Sequence, residues 1–358
     1  MKQFHSLKVV GKVQETRDSV RIALEVPEAL RAEYAFQAGQ HLPVQIERDG
    51  KKVRRTYSIC SEQGAWPLQI GVRVQPGGQF SEFAFNELEI GDSLDVMPPN
   101  GQFHATPDAS NEKNYVAFAA GSGITPILSI IATVLKTEPR SRFALFYGNR
   151  TQGTTMFIDD LFALKNLYPD RLQLHFLFSR EEQEFEIAAG RLDDAKVREL
   201  IKHFCRGAPP DEAWICGPDT MINTVTVTLI DLNVSANLIH AERFGARRRA
   251  IGNKVTVTLY EEGVDLARVT VLMDGHEKSF SMARGGVNIV DAAAEQGIEL
   301  PYSCKGGVCA TCRTFVEKGE VEMATNYGLE PWEVEKGFVL ACQSTPVSDE
   351  ILLNYDKT

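Results

Sequence analysis

Over roughly the first hundred residues, short apolar runs alternate with glycine and proline turns. Val20–Leu24, His41–Ile46 and Leu68–Val74 place apolar side chains at every second position, the period of a half-buried strand. Asp49-Gly50, Pro76-Gly77-Gly78 and Pro98–Gly101 separate these runs, so the segment predicts a small antiparallel β-barrel. Beyond the polar stretch Thr106–Asn114 the pattern changes. Apolar runs now alternate with helical ones: Tyr115–Ala120 then Ile127–Leu135, Arg142–Gly148 then Phe157–Leu167, Leu172–Phe178 then Leu192–His203, Ala213–Gly217 then Thr220–Leu232. That alternation predicts parallel strands with crossover helices, an α/β doubly wound parallel sheet. Last, Lys254–Leu259 and Arg268–Met273 show a strand period about a Gly263 turn. A helix with readable ends follows: Asn288 at the N-cap, Ile289, Ala292 and Ala293 on its buried stripe, and Gly297 at its stop.

The chain is therefore expected to be multidomain, with a barrel over 1–106, an α/β domain over 107–244, a linker over 245–253 and an α+β module over 254–358. Its 358 residues, 43% hydrophobic, suffice for such cores. Charge is uneven. From Lys254 onward there are nine Lys and Arg against seventeen Asp and Glu, so −8 of the net −10 lies in the last module. An acidic module on a nearly neutral body suits a basic partner and speaks against nucleic acid, though a solvated surface would have the same composition. The start, MKQFHSLKVV, lacks a signal-peptide core. Tyr115–Leu135 is long enough to cross a bilayer, but Gly121-Ser122-Gly123 and Pro126 interrupt it. The expectation is a cytoplasmic protein that does not contact membrane.

Seven cysteines, an odd number crowded toward the end, do not suggest a disulfide framework. Cys304, Cys309, Cys312 and Cys342 follow C-x4-C-x2-C with a distant fourth cysteine, the plant-type [2Fe–2S] spacing. Two irons and two sulfides need four thiolates, and one short loop supplies three of them only by wrapping the cluster. Lys305-Gly306-Gly307-Val308 lets backbone amides approach the sulfurs, where they offset negative charge. A zinc site is the rival, but zinc favours two short Cys-x2-Cys knuckles, and only one such pair is present. Cys60 and Cys205 read as small buried hydrophobes.

A flavin needs an aromatic face, a donor near its reactive N5, and cations or amides at its phosphates. Arg55-Thr56-Tyr57-Ser58 offers all three at a strand end, with Gly77, Gly78 and Ser81 as a second phosphate-binding element. The same residues would also serve as strand packing and surface. Gly121-Ser122-Gly123-Ile124-Thr125-Pro126 closes an apolar strand and opens a helix, where a nicotinamide dinucleotide's pyrophosphate meets free amides. It departs from G-x-G-x-x-G, since Pro126 stands in place of the third glycine. Ser179-Arg180 follows a strand and suits a 2′-phosphate, hence NADPH, unless Arg180 pairs with Glu181 or Glu182. Cys216-Gly217-Pro218 ends the last strand, where the nicotinamide ring belongs.

With these residues in view the chain resembles the ferredoxin–NADP reductase superfamily, in the branch that carries a C-terminal plant-type ferredoxin. Within that branch it is most similar to the reductase subunits of phenylacetyl-CoA epoxidases. The likeness is carried by FHSL, YSIC, AAGSGITPILSIIATVL, YGNRT, ICGP, HAERF, LPYSCKGGVCATC and TNYGLEP, and covers nearly the whole chain. The resemblance implies FAD held by Arg55, Tyr57 and Ser58 in the first domain, although the motif alone leaves FMN open. It implies NADPH against Gly121–Thr125, Ser179, Arg180 and Cys216, and a β-grasp ferredoxin with the four cysteines as metal ligands. Ser58, Cys216 and Glu242 would line the reacting face, and Phe244 would shield the flavin until nicotinamide displaces it. The implied partner is a di-iron oxygenase component that epoxidises the ring of phenylacetyl-CoA. A reductase for a Rieske-type or steroid oxygenase shares every one of these features, and a redox sensor that does not turn over shares the cofactors.

Overall fold

The computed structural model describes residues 3–48, 50–205, 209–244 and 266–357. The chain divides into two compact units, one of residues 4–244 and one built mainly on the residues after Phe244. The predicted linker, the Lys254–Leu259 strand and the Gly263 turn lie outside the described residues.

In the first unit a six-stranded antiparallel sheet is formed by β1 (His5–Thr16), β2 (Ser19–Glu25), β3 (His41–Arg48), β4 (Lys51–Ser58), β5 (Leu68–Arg73) and β6 (Ser93–Val96), in the order β4-β3-β6-β1-β2-β5. Its two edges meet: Ile59 bridges Ile70, and Cys60 N donates to Gln69 O at 2.8 Å, so the sheet closes into the expected barrel. Alternate residues, Val20, Ile22 and Leu24 on β2 and their partners Val72, Ile70 and Leu68 on the neighbouring β5, point inward and are buried. Sequence pattern did not reveal the helix α1 (Gln79–Asn86), which buries Phe80 and Ala84 against the barrel.

The parallel sheet comprises β7 (Asn114–Ala120), β8 (Arg142–Asn149), β9 (Leu172–Phe178), β10 (Glu212–Gly217) and β11 (Ile239–Arg243), ordered β11-β10-β7-β8-β9. Its crossovers carry α2 (Ile124–Thr137), α3 (Ile158–Leu167), α4 (Asp194–Phe204) and α5 (Asp219–Asp231), close to the helices expected from the sequence. The apolar Tyr115–Leu135 stretch is a strand, a turn and a helix, and among the described residues no helix is long and apolar enough to cross a membrane. The barrel and this sheet, separate on the pattern of the sequence, form one compact unit. A half-buried charged seam ties them: Arg21 of β2 bonds Glu15 of β1 and Asp160 of α3, both at 2.7 Å.

The second unit holds a mixed sheet of β12 (Leu266–Met273), β13 (His276–Ala283), β14 (Arg313–Lys318), β16 (Phe338–Leu340) and β18 (Glu350–Asn354), ordered β13-β12-β18-β14-β16. A small pair, β15 (Val321–Met323) with β17 (Ser344–Pro346), and the helices α6 (Ile289–Glu295) and α7 (Pro331–Glu335) complete it. The hairpin partner of β12 among the described residues is β13, through Asp274 and Gly275, both at positive φ. In α6 the Asn288 side chain accepts from Asp291 N at 3.0 Å, and Gly297 ends the helix at φ +74°, as the sequence indicated.

Candidate functional site

Strand register assembles the first half of the site. In the β3–β4 pair, His41 lies opposite Ser58, Leu42 opposite Tyr57 and Val44 opposite Arg55. In the parallel β10–β11 pair, Cys216 lies beside Glu242. The two sheets bring Ser58, Glu242 and Cys216, far apart in sequence, to one place. Ser58 Oγ donates to Glu242 Oε2 at 3.2 Å, with both residues buried. Burial, and then the charge of Glu242, push the Cys216 thiol well above its ordinary range, so it is a neutral SH group.

His41 also belongs here. It is 5% exposed, and its Nδ1 lies 3.6 Å from Glu242 Oε1. Asn100 pins its backbone from both sides, and the bare Cα of Gly101, at φ +120°, leaves room for its ring. Its Nε2 is buried without a hydrogen-bond partner among the described residues, a cost of about 1–3 kcal/mol unless a bound group meets it.

Around this centre the expected flavin residues fall as follows. Tyr57 packs against Phe80 with ring centroids 5.2 Å apart, and burial raises its hydroxyl far above the usual value. Arg55 is exposed and donates to Arg54 O at 2.6 Å. Gly77 holds φ +75°, and a Cβ on Gly78 would stand 2.5 Å from Ser81 Oγ. Ser81 Oγ accepts from Gln75 N and donates to Gly78 O, so it fastens the turn that presents the Gly78 end of α1.

On the nicotinamide side, Gly121 at φ +55° begins the turn into α2, and Tyr147 OH fixes its carbonyl at 2.8 Å. A Cβ on Gly123 would fall 2.1 Å from Cys216 O, so only glycine lets the loop and the end of β10 touch. Thr125 Oγ1 donates to Ser122 O at 3.0 Å, and Pro126 sits in the first turn of α2. Arg73, which no sequence motif singles out, lies at this loop, with Nη1 3.2 Å from the Cβ position of Gly121 and its other nitrogens held by Asp18. Ser179 and Arg180 donate their backbone amides to Asn149 O and Arg150 O, leaving the Arg180 side chain exposed. Glu181, the rival partner for Arg180, accepts from Gln152 N. Phe244 is 42% exposed at the end of the unit.

In the second unit the four cysteines stand as two pairs. Cys304 lies with Cys309 and Cys312 with Cys342, and this pairing lowers Cys304, to about 5, and Cys342 while it raises Cys309 and Cys312. Among the described residues no three His, Cys, Asp or Glu side chains are arranged around one metal ion. Two thiols for each of two irons is the division a [2Fe–2S] cluster requires. The loop winds tightly to achieve it: Lys305, Gly307 and Ala310 hold φ of +49°, +76° and +50°. Gly306 N and Cys309 N point at Cys304 Sγ from 3.3 and 3.4 Å. Thr325 O and Val308 O crowd the Cα atoms of Gly307 and Gly328, locking TNYGLEP over the loop. Asn326 closes that segment with two bonds to Leu329, and Glu330-Pro331 starts α7 with a capping box. The buried hydroxyl of Ser303, next to Cys304 in the chain, is without a partner among the described residues, an orphaned donor of the kind a bound cluster would satisfy. The residues fit the group.

A barrel whose aromatic strand end and serine face the tip of a dinucleotide-type sheet, together with a four-thiol loop, defines an iron–sulfur flavoprotein reductase. Residues 6–105 match the model of an oxidoreductase FAD-binding domain, 118–226 that of an oxidoreductase NAD-binding domain, and 271–347 that of a 2Fe-2S iron-sulfur cluster binding domain. The chain is 42% identical to one of the subunits of the 1,2-phenylacetyl-CoA epoxidase of Escherichia coli, over 99% of each chain. It is 31% identical to the ferredoxin reductase component of a 3-ketosteroid-9-alpha-monooxygenase from Rhodococcus rhodochrous, over 98% of this chain and 96% of that one. The solved structure of phthalate dioxygenase reductase shares the fold, with a TM-score of 0.59 at 23% identity over 98% of both chains. The chain belongs to the ferredoxin–NADP reductase-like family with a C-terminal [2Fe–2S] domain, whose members include these reductase components of oxygenases.

Proposed function

We propose that this chain is the NADPH-dependent reductase component of a multicomponent oxygenase whose di-iron component epoxidises the ring of phenylacetyl-CoA. The observation that carries this choice of partner is the 42% identity, end to end, to part of a 1,2-phenylacetyl-CoA epoxidase. FAD, when bound, would supply a carrier able to take a hydride and part with single electrons, and a [2Fe–2S] cluster held by Cys304, Cys309, Cys312 and Cys342 would supply a one-electron carrier. The chain's own residues prepare for that traffic. Tyr57 offers a ring face braced by Phe80, and Arg55 with the Gly77–Ser81 turn offers a cation and amides to flavin phosphates. Ser58 presents a hydroxyl whose orientation Glu242 fixes. Gly121–Thr125 offers amides to a pyrophosphate, and Ser179 with Arg180 a hydroxyl and a cation to a 2′-phosphate. Cys216 lines the nicotinamide position as a neutral thiol, adding no charge to oppose hydride transfer. Phe244 covers the flavin face, and the Cys304, Cys309, Cys312 and Cys342 loop delivers to the partner.

A second reading, a reductase for a steroid monooxygenase, is favoured by the 31% identical relative. One reconstitution separates them. Purified chain mixed with the oxygenase components of the epoxidase should consume NADPH and dioxygen only when phenylacetyl-CoA is added. NADPH oxidation that couples instead to a 3-ketosteroid oxygenase would overturn the proposal, and loss of all turnover with ferricyanide would favour a sensor.

A further inference from the structure

Phe157 immediately precedes α3 with φ +57°, a conformation that bulky L-residues rarely adopt. Its ring is fully buried. Three contacts with the barrel hold it there. Its amide donates to Glu15 Oε2 at 3.1 Å, the guanidinium of Arg21 lies 5.3 Å from its ring centroid, and its ring tip rests on the bare Cα of Gly71. The Thr125 methyl rests on the same spot, for a Cβ on Gly71 would stand 2.7 Å from both Phe157 Cζ and Thr125 Cγ2. Thr125 is in the first turn of α2, bonded to Ser122 O in the glycine loop. The barrel therefore packs on the first helical turn after the glycine loop at this bare backbone position, beside a strained phenylalanine.

We infer that Gly71 and Phe157 are positioning residues for hydride transfer: they set how closely the nicotinamide loop approaches the barrel. This rests on the reading of Gly121–Thr125 as the nicotinamide site. Any side chain at Gly71 makes Phe157 and Thr125 retreat from 2.7 Å to the 3.4 Å of ordinary contact. Nucleotide affinity, governed by the loop's amides and by charges that a Gly71 side chain does not meet, stays. The distance from donor carbon to flavin grows, and a displacement of about 1 Å costs on the order of 10²-fold in rate.

The test is stopped-flow bleaching of the flavin by saturating NADPH in full-length Gly71→Ala, with Phe157→Leu as a second variant should the first fold poorly. The expected result is a reduction rate at least about tenfold lower, with a primary deuterium isotope effect from 4-deuterated NADPH at least as large as in wild type. The dissociation constant for NADP⁺, read from the difference spectrum, should stay within about twofold, since no charge or amide that binds phosphate is altered. Flavin and iron content should match wild type. A folded Gly71→Ala and Phe157→Leu that both reduce at the wild-type rate would overturn the inference, as would a loss confined to NADP⁺ affinity. Gly123→Val reports on the underlying reading separately: if it binds NADP⁺ as wild type does, the site assignment fails whatever Gly71 does.

Discussion

Glu242 bears on three groups at once: it orients Ser58, faces His41 and raises the thiol of Cys216. Glu242→Gln keeps an acceptor for Ser58 but removes the charge. Its flavin reduction by NADPH should slow by about 10²-fold, the size of misplacing a reacting group by about 1 Å, with flavin still bound; rapid-mixing absorbance checks this. Cys309→Ser tests the order of carriers. It should lose nearly all delivery to a one-electron protein acceptor yet still reduce ferricyanide from the flavin, measured side by side on the same sample. At this scale the sequence was informative where spacing alone specifies chemistry, as for Cys304, Cys309 and Cys312, or where a glycine pair marks a turn, as at Gly77-Gly78. It was silent on Arg73 and Gly71, and on what His41, the start of a predicted strand, would face. Their roles come from register and from contact between two sheets, and no local pattern encodes a partner some 200 residues away, as Glu242 is for His41.

Among the elements, β9 carries a pH dependence. His175 stacks on Phe146 and meets the tilted ring of Phe204, with centroids 5.2 and 3.7 Å away, and burial lowers its pKa from 6.5 to about 4, with Lys165 adding to the shift. Gln173 is its hydrogen-bond neighbour at 3.3 Å. The folded protein thus resists charging a ring that the unfolded chain protonates readily. Stability from this group is complete above pH 6.5 and is lost as pH falls toward 4. His175→Phe should flatten that part of the stability curve, as thermal melts between pH 7 and roughly pH 4 would record. Most elements were legible because their periods of 2 and 3.6 are strong in β2, β5 and α2. α1 was not, since eight residues give barely two turns and its Phe80 and Ala84 stripe is overshadowed by the glycine turn before it.

For the whole molecule, the acidic balance of the last module makes a salt-dependent encounter with a partner testable. If the oxygenase surface is basic, electron delivery should slow as salt rises, since screening shortens from about 30 Å at 0.01 M to about 3 Å at 1 M. Cytochrome c reduction followed across that range checks it, while flavin reduction by NADPH should respond far less. The two-by-two arrangement of the thiols has a practical corollary for preparing the protein. Each couple is within reach of its own mate, so mild oxidant acting on iron-stripped material should close Cys304 to Cys309 and Cys312 to Cys342 rather than scramble them. Such a sample would be about four hydrogens lighter by mass spectrometry and refractory to reloading until a dithiol reopens it. Colour lost in storage would then be recoverable, provided reductant is added before iron and sulfide.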